Sequence, residues 1–142
     1  MNTLPESLAS RPPVPTSQAP ARLLALVVED RRGAADALGE LLATFGCRVL
    51  VAYDEGAAQE LARRHHPDVV LWDLSLARPS GYMPRRRVQM CQANHPFLVA
   101  ITGFGGEDAA RRAALEDFEG YLVEPVDPSQ IRGLLRRLQP FR

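Results

Sequence analysis

Leu23-Leu24-Ala25-Leu26-Val27-Val28 runs without a polar residue into Glu29-Asp30. Such a run fits a strand covered on both faces, because a half-buried strand alternates apolar with polar. The same design recurs downstream. Asp68-Val69-Val70-Leu71-Trp72 follows Pro67 and ends in Asp73, and Phe97 to Ile101 ends in Thr102-Gly103. Arg48 to Ala52 and Gly120 to Val123 read as two further strands, the last ending in Glu124-Pro125.

Helical periodicity fills the spaces between these runs. Leu38, Leu41, Leu42 and Phe45 fall on one helix face, and Gly46 supplies a stop. Asp54 is placed to cap a second helix with Ala58, Leu61 and Ala62 inward. A third helix is expected near Pro84, although Arg85-Arg86-Arg87 obscures its period. A fourth runs from about Glu107 to Asp117, with Ala110, Ala113 and Ala114 allowing close packing. A fifth starts near Asp127-Pro128, and Ile131, Leu134, Leu135 and Leu138 form its apolar stripe. Strands alternating with helices at this spacing predict an α/β fold, a doubly wound five-stranded parallel sheet with helices on both faces.

Residues 21–142 form the expected domain. Residues 1–20 hold five of the twelve prolines and two charges, and read as a disordered Pro-rich extension. The chain has 17 basic and 17 acidic side chains, and its net charge of zero argues against a general nucleic-acid or anionic-membrane binder. No apolar run approaches the ~20 residues that span a bilayer. The N-terminus has neither a basic patch nor an apolar signal core, so a cytoplasmic protein is expected. Cys47 and Cys91 are expected as reduced thiols, and His65-His66 and His95 as surface residues beside prolines.

In parallel sheets of this kind, sites form outside the carboxyl ends of the strands. Here Glu29-Asp30, Asp73 and Glu124 bring carboxylates to that rim, and Thr102 brings a hydroxyl. Any one of these acids alone reads most simply as a helix cap. Together they would repel one another and take up protons unless a cation lies between them. Oxygen ligands from short acidic side chains suit a hard ion such as Mg²⁺.

With these residues in order, the chain resembles the receiver (CheY-like) domains of two-component response regulators. The resemblance covers about residues 23 to 138. It is carried by Leu26-Val27-Val28-Glu29-Asp30, Pro67 to Asp73, Gly81-Tyr82, Ala100-Ile101-Thr102-Gly103 and Leu122-Val123-Glu124-Pro125-Val126-Asp127. It implies a flavodoxin/CheY-like strand order of 2-1-3-4-5. It implies that Asp73 accepts a phosphoryl group from a histidine kinase or histidine phosphotransfer protein. Glu29, Asp30, Asp73 and the Ser75 carbonyl are then the Mg²⁺ ligands. Thr102 bonds the phosphoryl oxygens, and Tyr121 is the aromatic switch. A downstream protein would dock on the surface of the fourth helix, fifth strand and fifth helix, with the chain a monomer or weak dimer. The product would be a signalling domain that assists its own phosphorylation and dephosphorylation, rather than an enzyme with a separate substrate.

One position breaks the pattern. Glu124 stands where the family places a lysine that grips the phosphoryl group. All 17 basic residues are arginine, as GC-rich codon usage would give, but such bias preserves charge and Glu124 reverses it. At ~4 Å and an effective dielectric of ~20, one unit pair is worth roughly 4 kcal/mol, so the reversal is of that order before screening by metal. The loop after Asp73 departs as well, with Ala77 in place of the usual proline. Arg31 and Arg78 are near enough in sequence to replace the cation, but a solvated surface role is the expectation for each. Two alternatives stand beside the phosphoacceptor reading. One is a degenerate receiver that binds partners without phosphorylation. The other is a small flavodoxin-like hydrolase or ligand-binding domain, against which stand Ser75 two residues after Asp73 and the lack of a Gly-rich loop after strand 1.

Overall fold

Every residue of β1 (Leu24–Val28) and of β3 (Val69–Asp73) is buried, as continuous apolar runs in a doubly covered sheet require. The computed structural model describes residues 22–76, 96–103 and 118–138. Within them lie α1 (Arg32–Thr44), β2 (Arg48–Ala52), α2 (Glu55–His65), β4 (Phe97–Thr102), β5 (Gly120–Val123) and α3 (Pro128–Leu138). The expected third and fourth helices, the extension 1–20, Gly81-Tyr82, Arg78 and His95 lie outside the described residues.

The sheet is parallel, in the order β2-β1-β3-β4-β5. This is the expected doubly wound arrangement. Alternation along the strands sorts side chains into two cores. Ala25, Val27, Leu71, Val99 and Ile101 pack with Leu38 and Leu42 of α1 and with Ile131, Leu134, Leu135 and Leu138 of α3. Leu26, Val28, Val70, Trp72, Leu98 and Ala100 pack on the opposite face with Ala58 and Ala62 of α2.

Local signals end the elements where the sequence indicates. Gly46 at φ +96 terminates α1, and its N–H reaches the Ala43 carbonyl at 2.9 Å. Asp54 Oδ1 accepts the Ala57 N–H at 2.8 Å, an N-cap whose loss costs about 1 kcal/mol. The helix it starts runs to His65, and His66 closes it in the left-handed region at φ 50. Both histidines are exposed, as expected. Cys47 is buried and free, and burial pushes its thiol pKa up, away from reactivity. No described helix is long and apolar enough to cross a membrane.

Candidate functional site at the carboxyl rim of the sheet

The register places the chemistry-bearing residues side by side. Val28 pairs with Trp72, Asp73 with Ile101, and Thr102 with Val123. Glu29, Asp73, Thr102 and Glu124 are therefore each the last strand residue or the one after it. Their backbones are pinned to the sheet as well. Glu29 N–H donates to Ala52 O at 3.0 Å, Leu74 N–H to Ile101 O at 2.9 Å, and Glu124 N–H to Thr102 O at 2.8 Å. A site built on strand ends in this way keeps its geometry when side chains change partners.

Glu29, Asp73 and Thr102 are the buried polar residues among those described, at 1%, 1% and 3% exposure. Asp30 beside them is exposed. Carboxylate oxygens of Glu29, Asp30 and Asp73 all lie within 4.8 Å of one another. Oxygens around an octahedral Mg²⁺ at 2.0–2.1 Å stand about 3 Å apart when adjacent and about 4 Å when opposite, so the trio needs to draw together by at most about 2 Å, within reach of side-chain rotation. The donors are of the hard type this ion prefers, and the residues fit it. None of the three caps α1, whose N-cap residue Arg31 makes no side-chain cap bond. The single-acid alternative thus fails for the two acids that follow β1.

Asp73 is held from below. Its Oδ1 accepts the Ser75 N–H and lies 2.9 Å from Ser75 Oγ, which is 3.0 Å from Oδ2. The sequence expectation gives Ser75 a role only through its carbonyl, and the structure adds its hydroxyl. A hydroxyl two residues after an aspartate is placed to fold back on it. Tyr121 is 41% exposed on the edge strand and lies beside Ser129, Gln130 and Arg137 rather than in the acidic pocket.

Arg31 corrects the sequence expectation. The sequence favours a solvated surface role for it, yet its guanidinium lies across the pocket mouth. Nε donates to Glu29 Oε2 at 3.1 Å, and Nη2 donates to Glu29 Oε1 at 2.9 Å. The same Nη2 reaches both Glu124 oxygens, at 3.1 and 2.9 Å, and lies 3.5 Å from Asp73 Oδ2. The cause is local backbone. Arg31 is extended at φ −83, ψ 108 ahead of α1, and its own N–H bonds Glu29 Oε2 at 2.9 Å. That turn sends the side chain back over Glu29. The next residue, Arg32, points elsewhere and covers the Tyr53 ring at 4.1 Å. The Arg31 side chain is 57% exposed, so it is both hydrated and in the pocket. Its hydrogen bonds to Glu29 and then Glu124, with their charges, push its pKa above an already high value. The cation is permanent at any physiological pH.

A groove of about 460 Å³ adjoins the pocket, walled by Ala34, Ala37, Leu38 and Leu41 of α1 and by Pro125 and Val126. Glu29, Arg31 and Glu124 form its charged end.

Comparison with known proteins agrees with this architecture. A family profile described as response regulator receiver domain matches residues 25–136. The transcriptional regulatory protein CreB of Escherichia coli is 32% identical over 121 residues, 81% of this chain but 52% of that protein. The polar-differentiation response regulator DivK of Brucella ovis is 26% identical over 102 residues, 71% of this chain and 83% of that protein. A receiver domain (CheY-like) structure from Methylobacillus flagellatus superposes with a TM-score of 0.70 at 26% identity. It covers 82% of this chain and 98% of that one.

Proposed function

The chain belongs to the response regulator receiver domain family, and from that premise we propose that it accepts a phosphoryl group on Asp73 and signals by docking to another protein. One observation carries this reading: a buried aspartate at a strand end, with two further carboxylates within ligand distance. Glu29, Asp30, Asp73 and the Ser75 carbonyl would hold Mg²⁺. Bound there, the ion supplies charge that offsets the acids and the incoming phosphoryl oxygens.

The chain's own residues do the rest. The Ser75 N–H bonds Oδ1 and not Oδ2, while the Ser75 hydroxyl can turn to either oxygen, so Oδ2 is the attacking atom in this reading. An Oδ2–phosphorus bond forms as the phosphorus–nitrogen bond of a phosphohistidine breaks. The electron pair stays on the imidazole nitrogen, which then takes up a proton. Thr102, at the end of the neighbouring strand, is the hydroxyl for the phosphoryl oxygens, and Tyr121 is the side chain free to move when that contact forms. The apolar groove beside the pocket offers a protein donor, kinase or phosphotransfer protein, a surface to rest on. The exposed face of β5 and α3, with Tyr121, is the output side. The domain is read as 21–142, cytoplasmic, and monomeric or weakly dimeric.

A second reading, a receiver that docks without phosphorylation, draws support from Arg31, which already engages both Glu29 oxygens. Intact mass separates the two. With acetyl phosphate and Mg²⁺ the chain is expected to gain one phosphoryl mass, and with Mg²⁺ chelated to gain at most about a tenth as much. No gain under conditions that load a control receiver would favour the second reading.

A further inference from the structure

Four carboxylates converge at this rim, and among the described residues one guanidinium stands among them. Its placement takes two anchors. Glu29 binds one edge of the fork through Nε and Nη2, a contact between near neighbours in sequence. Glu124 comes from the far side of the sheet and chelates Nη2 with both oxygens. Held between them, Nη2 faces Asp73 Oδ2 at 3.5 Å, the attacking atom of that reading.

Building on the phosphoacceptor reading, we propose that Arg31 is the cation that grips the phosphoryl group on Asp73, and that Glu124 is the positioning residue that holds it there. The charge that the resemblance places on a lysine after β5 would then come from the head of α1. Glu124 in this arrangement is the partner of a relocated cation rather than a lost one. The chemistry suits the side chain. A phosphoryl group bonded to Oδ2 would bring its oxygens to Nη2, a charged donor that can exchange Glu124 for them while Glu29 keeps its hold through Nε. The phosphoryl group then draws Nη2 from Glu124, so the pair reports loading as well as stabilising it. A plain surface ion pair is the competing account, and at 57% exposure it would be worth little to folding.

The two accounts differ in sign. Rates of phosphoryl uptake from acetyl phosphate in Mg²⁺, and half-lives after donor removal, are read by intact mass on the full chain. Mg²⁺ affinity is followed in parallel through Trp72 fluorescence, the chain's single tryptophan. Arg31→Ala is expected to lower uptake or lifetime about 100-fold, the lower end for loss of one preorganised donor because the side chain is half exposed. Glu124→Ala is expected to lower it when Arg31 is present and to raise it in the Arg31→Ala background, where the acid only repels. Arg31→Ala with Glu124→Lys is expected to recover most of the wild-type value by supplying the cation from β5. Equal behaviour of wild type and Arg31→Ala, or a Glu124→Ala effect of the same sign in both backgrounds, would overturn the proposal while leaving Asp73 as acceptor. A loss in Arg31→Ala that merely tracks weaker Mg²⁺ binding would also overturn it. Absence of any adduct in the wild type would instead remove the phosphoacceptor reading on which it rests.

Discussion

Asp73→Asn is expected to take up no phosphoryl group under conditions that load the wild-type chain, a loss of at least about 100-fold. The change is close to isosteric and removes the nucleophile. An amide oxygen carries no full negative charge, and the nitrogen at the Oδ2 position has no lone pair available for attack. The fold should survive. An amide oxygen at the Oδ1 position still accepts the Ser75 N–H now found at 2.9 Å. The new NH₂ would face Arg31 Nη2, donor against donor, across what is a 3.5 Å ion pair. Arg31 is exposed enough to relax onto Glu124. The denaturation midpoint should therefore correspond to a change within about 1 kcal/mol, and the adduct alone should vanish. Intact mass with a denaturant curve reads both. An adduct of undiminished yield would mean that another side chain accepts the group.

Trp72→Ala should act on the same strand end through packing rather than chemistry. The side chain is fully buried, among the largest in the core, and it lies on the opposite face of the sheet from the α1 layer. It packs with Val28, Val70, Ala58, Ala62 and Ala100, small residues that leave room for one large ring. Truncation of a buried aromatic costs about 3–5 kcal/mol in transfer and cavity terms. That is a large share of the 5–15 kcal/mol typical of a domain. Because Trp72 directly precedes Asp73, partial collapse of the cavity would also displace the acceptor. Urea unfolding followed by circular dichroism is the measurement. Trp72→Phe, which keeps a ring, should lose clearly less. A Trp72→Ala loss below about 1 kcal/mol would show that the core is not organised around this side chain.

The sheet and the acids were readable from the chain because contiguous residues specify them. Six apolar residues running into Glu29-Asp30 define both a strand and where its chemistry lies, with no knowledge of what packs against it. Caps and stops behaved likewise, since Asp54 and Gly46 act on neighbours within three residues. Arg31 was not readable in this way. Its placement depends on one extended residue between β1 and α1, on the turn that brings its N–H onto Glu29, and on Glu124 93 residues away. Arg31 and Arg32 are the same residue type in adjacent positions, and backbone direction alone sends one to the pocket and the other to Tyr53. The reversed charge at Glu124 was visible as an anomaly, but its partner could be identified only in space. The Ser75 hydroxyl on Asp73 was legible in principle from the two-residue spacing.

The central claim is that Asp73 is the atom-level acceptor in a pocket whose acids and Arg31 are arranged around it. Borohydride tests it most directly, because hydride cleaves an acyl phosphate and reduces the aspartyl carbon to the alcohol, which leaves homoserine at the acceptor. The chain is loaded with acetyl phosphate and Mg²⁺, reduced, digested and mapped by peptide mass. The account predicts homoserine at position 73 and at no other aspartate. Reduction at Asp30, at Glu124 or elsewhere, with Asp73 intact, would contradict it.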